Sequence, residues 1–134
     1  MKTKITYPLP LSYISDRHDE AVSFFRKKRP HKETFIDLAV LEGSFLCEND
    51  REIFETLEIG ERLYIKQQQG SKHHLPPLMV FREKGDELGK LPFAQSILPN
   101  ILTERGISVW CYAEAKSYVS DILEIAVSVY CDNY

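Results

Sequence analysis

The chain has 134 residues, 43% of them hydrophobic, and a formal net charge of -3 at pH 7. A chain of this length buries roughly two thirds of its unfolded surface in one domain, without a disulfide or metal staple. Cys47, Cys111 and Cys131 are widely spaced and form no Cys-x-x-Cys pair, which argues for reduced thiols, no metal site and a cytoplasmic setting. No apolar run approaches the roughly 18 residues of a membrane span, and the N-terminus lacks a basic-then-apolar leader, so neither membrane insertion nor secretion is expected.

In chain order, Met1 to Pro10 is broken by Pro8 and Pro10 and reads as an extended arm or an edge strand. From Asp16 to Lys28, acids at the start and bases at the end suit the helix dipole, and Ala21, Phe24, Phe25 and Lys28 fall near one face. This predicts one helix, ended by Pro30, that either docks on the domain C-terminal to it or offers its two phenylalanines to a partner. Thr34 to Leu41 reads as a buried strand. Asn49 or Asp50 caps a short helix, with Ile53, Phe54 and Leu57 inward and Gly60 as its end.

Three strands come next, from Arg62, from Leu78 and from Leu88, separated by a polar loop from Gln67 to Pro77 and a turn at Lys84-Gly85-Asp86. Phe93 to Glu104 has helical spacing, with Pro99 kinking or splitting it. Ile107 to Ala113 and Ile122 to Tyr130 then read as a hairpin whose loop is Glu114 to Asp121. Trp110 and Tyr112 alternate with Val109 and Cys111, so only one of these pairs is expected to face the core.

This order predicts an α+β chain, mainly β: a small six-stranded barrel of the OB or SH3 kind, capped by short helices. Residues 1–32 form an N-terminal arm and helix with a basic end, and residues 33–134 form the barrel domain. Residues 1–32 carry eight Lys or Arg against three acids, whereas residues 33–134 carry nine against seventeen. The excess gathers in Arg26, Lys27, Lys28, Arg29 and Lys32, a run that either holds phosphates in a salt-sensitive way or is a solvated surface.

Enzyme signatures are missing from the sequence: there is no Gly-x-Ser-x-Gly, Walker loop, Gly-x-Gly-x-x-Gly or His-Glu-x-x-His. Cys47 with His73 or His74 would make a nucleophile and base only if folding joined them. The four acids of Glu48 to Glu55 read as a solvated helix face. No catalytic or cofactor-binding signature is therefore read from the residues.

The stretch from Gly60 to Pro92 carries a family resemblance. Gly60-Glu61, the alternating Leu63 and Ile65, the Gln67–Pro77 loop, Leu78-Met79-Val80-Phe81 and Leu88-Gly89-Lys90-Leu91-Pro92 resemble the HIRAN domain. That family's core reads Gly-acidic, alternating apolar residues, a loop with Asn-Pro-Tyr/His-Asp, an Ala-Ile-x-Val strand and Ile-Gly-Tyr-Leu-Pro. From Leu63 to Val80 the spacing is kept without a gap, and the resemblance spans about residues 38–130. It implies a module that binds single-stranded DNA, holding a free 3' end, alone or beside a helicase or nuclease.

Position by position, Ser71 lies where the family has Asn, Lys72 where it has Pro, His73 where it has Tyr or His, and His74 where it has the Asp that receives the terminal hydroxyl. His74 can accept that hydroxyl but lacks the carboxylate's charge. Phe45, after Gly43-Ser44, lies near the family's Arg-Tyr pair, and Tyr118 near a stacking Phe. The resemblance thus marks Ser71, Lys72, His73, His74, Phe45 and Tyr118 as DNA-binding candidates, with Lys72, Arg82 and the basic run supplying affinity. The alternative is a HIRAN-like protein-interaction module that has lost DNA binding and docks through its acidic barrel face or the Phe24-Phe25 helix.

Overall fold

The computed structural model describes residues 8–27, 33–68 and 75–132. Its strands are β1 (Thr34–Val40), β2 (Arg62–Gln67), β3 (Leu78–Phe81), β4 (Glu87–Lys90), β5 (Val109–Val119) and β6 (Ile122–Cys131). The helices are α1 (Leu11–Asp16), α2 (His18–Lys27), α3 (Asp50–Thr56) and α4 (Phe93–Glu104), with a 3-10 turn over Ser44–Leu46. All six strands form one antiparallel sheet in the order β1-β6-β5-β2-β3-β4. The sheet curls until Glu42, just past β1, pairs with Lys90 at the end of β4. The architecture is α+β, a curled, barrel-like antiparallel sheet with four short helices.

Strand alternation sorts the side chains into two apolar layers. Inside the curl, Leu63, Leu78, Val80, Leu88, Cys111, Ile125, Val127 and Val129 pack with Ile53 and Leu57 of the α3 region. On the outer face of β1, β6 and β5, a second layer joins Phe35, Leu38, Tyr112, Ala126 and Tyr130 to Ile14 of α1 and to Ala21 and Phe25 of α2. The Phe25 ring lies 4.9 Å from Phe35 and 6.3 Å from Tyr130, at tilted and edge-on angles that aromatic pairs favour. Trp110 and Tyr112 on one side of β5 and Cys111 on the other are all buried. The expected choice between the two pairs does not arise, because helices cover the outside of the sheet there.

Two local expectations change. The region read as one helix from Asp16 and preceded by an arm is a helical pair. Pro10 precedes α1, and the chain breaks at Arg17, whose φ of -130° and ψ of 53° leave the helical region. The loop expected over Glu114–Asp121 is strand, and β5 and β6 are joined by Ser120-Asp121 alone, both at positive φ. That is the geometry of a two-residue primed hairpin turn, and Ser-Asp lacks the glycine that usually announces it. A bulge between Ala113 and Ala115 buries Glu114, whose carboxylate accepts a hydrogen bond from Ser128 Oγ at 2.6 Å. Of the two outcomes expected at Pro99, the split does not occur, and α4 runs from Phe93 to Glu104 as one helix.

Candidate nucleic-acid interface

The closing seam of the sheet is built from the segment after β1. Glu42 and Lys90 exchange both backbone hydrogen bonds, at 2.8 and 2.9 Å. Gly43 then turns the chain at φ 80°, which a residue without Cβ adopts at little cost. Buried Ser44 donates its hydroxyl to the Leu88 carbonyl at 2.6 Å, and the Cys47 thiol donates to the Glu87 carbonyl at 3.0 Å. Gly89 is needed at this crossing. Its φ is 142°, and a Cβ there would lie 2.7 Å from the Glu42 carbonyl oxygen and 3.0 Å from Ser44 Oγ.

Two hollows flank the seam and share Glu42 and Lys90. One, of about 530 Å³, is apolar, with Leu75, Pro77, Leu91 and Phe93 in its wall. The other, of about 680 Å³, runs past Gly43, Leu46, Gln68 and Met79, and its charged lining is Glu42, Glu48, Asp86 and Glu87 against Lys90. Gln68 and Leu75, on the two sides of the Gln67–Pro77 loop, therefore arrive at the seam on either side, one in each hollow. Fully buried Asn100 of α4 fixes the two arms. Its amide donates to the Pro76 carbonyl at 3.0 Å, and its carbonyl accepts from Gln67 Nε2 at 3.0 Å. Ser71, Lys72, His73 and His74 lie outside the described residues, as do Lys28, Arg29 and Lys32.

The remaining candidates fall in different places. Phe45 is 55% exposed and its neighbour Leu46 is 74% exposed, on the 3-10 turn beside the groove. Tyr118 is not on a hairpin loop. It sits in β5, half-buried, with its ring packed edge-on 5.6 Å from Phe54 of α3. Arg26 and Lys27 are exposed in the last turn of α2.

Arg82 is tied up within the fold. Its side chain is buried, its Nε and Nη2 donate to the Glu61 carboxylate at 2.8 and 3.2 Å, and its Nη1 donates to Thr56 Oγ1 at 2.8 Å. A guanidinium held on both edges by its own chain has no fork left for a phosphate. Burial alone would raise the Glu61 carboxyl, but the Arg82 hydrogen bond, the Glu58 N–H and the charges of Arg82 and Lys84 outweigh it and hold the group below its usual 4.5.

Cys47 lies in a setting that disfavours its thiolate. Burial pushes its thiol pKa up, and the carboxylates of Glu87, Asp50 and Asp86 add to the shift, so it stays protonated at neutral pH. Among the described residues no three His, Cys, Asp or Glu side chains group as metal ligands, and no helix is long and apolar enough to cross a membrane.

Sequence reasoning passed over Ser44, Gly89 and Asn100 as seam and loop clamps, since their roles depend on contacts with residues far along the chain. It also passed over the outward residues of β2. Arg62, Tyr64 and Lys66 are all exposed, at spacings of two, and that alternation is legible in the chain itself.

No family model matches the chain, and no curated protein matches it. Among solved structures, a structural-genomics crystal structure of a protein from Lactobacillus plantarum is similar to it, with a TM-score of 0.58 at 14% identity over 72% of this chain and 95% of that one. At that identity the likeness concerns the fold.

Proposed function

We propose that this chain is a HIRAN-like single-stranded DNA-binding module, its curled sheet a small barrel of the OB or SH3 kind, which receives a free 3' end in the seam groove. It works without catalysis, as an accessory to helicase, nuclease or other DNA repair machinery. The observation that carries this reading is the meeting, at the Glu42–Lys90 bridge, of both sides of the signature loop with the turn that exposes Phe45. Glycine at position 89, a family signature residue, is what permits that crossing.

The groove's charge fits one part of a strand better than the rest. Glu42, Glu48, Asp86 and Glu87 repel phosphate, whereas a terminal nucleoside with a free hydroxyl brings no charge and offers a donor. An acidic groove therefore favours a 3'-hydroxyl over a 3'-phosphate, even with His74 in place of the family's Asp.

The test is fluorescence anisotropy with a short strand ending in 3'-hydroxyl against the same strand ending in 3'-phosphate, at two salt concentrations. Tight binding that prefers the hydroxyl is expected, and no binding at either salt would overturn the reading. The interaction-module reading has its own observation, the exposed apolar face of α4 formed by Phe93, Ile97 and Leu98. It gains if DNA fails to bind. The Phe24-Phe25 route to a partner is closed on one side, because Phe25 lies in the outer core.

A further inference from the structure

We infer that the open outer face of β2 and β3 is a second contact surface for single-stranded nucleic acid, which carries the strand away from the seam groove. Tyr64 lies at the centre of this face, paired across the sheet with Phe81 on one side and Trp110 on the other. Residues paired in an antiparallel ladder point to the same side, so the three rings form one transverse row, in which Tyr64 is exposed, Phe81 is half-buried and Trp110 is buried at the edge of the helix-covered layer. Arg62 and Lys66 flank the row. The Arg62 guanidinium lies 4.7 Å from the Trp110 ring centre and 6.0 Å from that of Tyr64, and Lys66 Nζ lies 5.4 Å from that of Phe81.

These cations are uncommitted. Among the described residues neither Arg62 nor Lys66 is in an ion pair, and both are exposed. Four steps along the strand separate them, roughly 13 Å, the span of a few nucleotides. The partly exposed Tyr64 ring, with half-buried Phe81 beside it, accepts any base by stacking, and flanking cations take the phosphates between bases, which is the arrangement that sequence-tolerant single-strand binders use. An acidic protein would satisfy the cations but would gain little from a row of ring faces.

The face and the groove are continuous. Met79 pairs with Lys66 on the outer face and also lines the acidic hollow beside the seam. Charge divides the two along the strand's path: the groove's carboxylates exclude phosphate, and the β2–β3 face attracts it. A strand with its terminal nucleoside in the groove therefore runs its remaining phosphates past Met79 towards Lys66 and Arg62. The inference rests on the single-strand reading above, but not on any preference for a 3'-hydroxyl end.

The experiment uses the full chain with oligothymidylates of four and twelve nucleotides, both ending in 3'-hydroxyl, and compares wild type with Arg62→Gln/Lys66→Gln and with Tyr64→Ala. The expected result is that the twelve-mer binds wild type at least about tenfold more tightly than the four-mer. The double variant should lose most of that gain and lower the slope of log affinity against log salt by about 1.4, two phosphate contacts at ~0.7 each. Tyr64→Ala should weaken the twelve-mer by about tenfold, the loss of one stacking platform. All three substituted side chains are exposed, and an unchanged thermal melt confirms the fold.

If wild type binds with an end preference but the variants leave the length gain and the salt slope unchanged, this inference is overturned and the groove reading survives. If no oligonucleotide binds wild type, both are overturned. Salt-sensitive binding of polyglutamate instead would assign the face to an acidic protein partner.

Discussion

The sheet presents two aromatic outer surfaces of opposite fate. Across β1, β6 and β5, Phe35, Tyr112 and Tyr130 lie under α1 and α2, in a dry layer with Phe25. Across β2 and β3, Tyr64 and Phe81 lie beside Arg62 and Lys66, and Tyr64 remains 38% exposed. The residue types are similar. An aromatic row on a strand becomes core where an amphipathic helix supplies the opposing surface, and a candidate binding platform where cations border it and no described helix covers it.

The covered face should break hardest. Phe25→Ala removes a ring packed against two others and leaves a cavity, so it should cost about 3–5 kcal/mol in denaturant unfolding. Loss under about 1 kcal/mol would mean that the helical pair is not integral to the fold.

Next is the seam that separates the two surfaces. Gly89→Ala forces a Cβ to within 2.7 Å of the Glu42 carbonyl at a φ of 142°. It should cost about 2–3 kcal/mol and weaken binding of a 3'-hydroxyl strand.

The Arg82–Glu61 pair supports the β3–β4 turn under the open face. Glu61→Gln should cost about 2 kcal/mol at neutral pH, less than a fully buried pair because Glu61 is about a quarter exposed. The folded-state pKa of Glu61 lies below its unfolded value. The pair's contribution is therefore present above about pH 4.5 and is lost as pH falls through the lower folded value. The wild type should lose stability over that acid window more steeply than the Gln variant, which a series of melts between about pH 3 and 6 would measure.

Ser44→Ala should be milder. It leaves the Leu88 carbonyl without its hydroxyl donor, at a cost of about 1–2 kcal/mol. The smallest effect on stability sharpens the comparison. Tyr64→Ala should change unfolding by less than about 1 kcal/mol, because the ring is partly exposed, while Phe25→Ala on the other face costs several times as much. Equal costs for the two rings would show that the β2–β3 face is structural after all.

Much of this molecule was legible from local pattern. Six strands and the helix before the last two followed from β-branched runs, Gly and Pro punctuation and helical spacing, because each signal acts within a few residues. The turn at Ser120-Asp121 was not legible, since its tightness is set by the long β5–β6 pairing and not by turn residues of its own. Nor was the fate of Arg82. In sequence it is a free cation after a strand, and only the curl brings Glu61 and Thr56 to it.

What the sequence determined by itself was the kind of element at each point and the alternation that gives each strand two distinct sides. Tertiary structure alone decided which of those sides are covered, which polar groups pair across the fold, and where the sheet closes on itself. The reason is that burial and hydrogen-bond pairing at Gly89, Asn100 and Phe25 depend on residues many positions away, whose approach no local window contains.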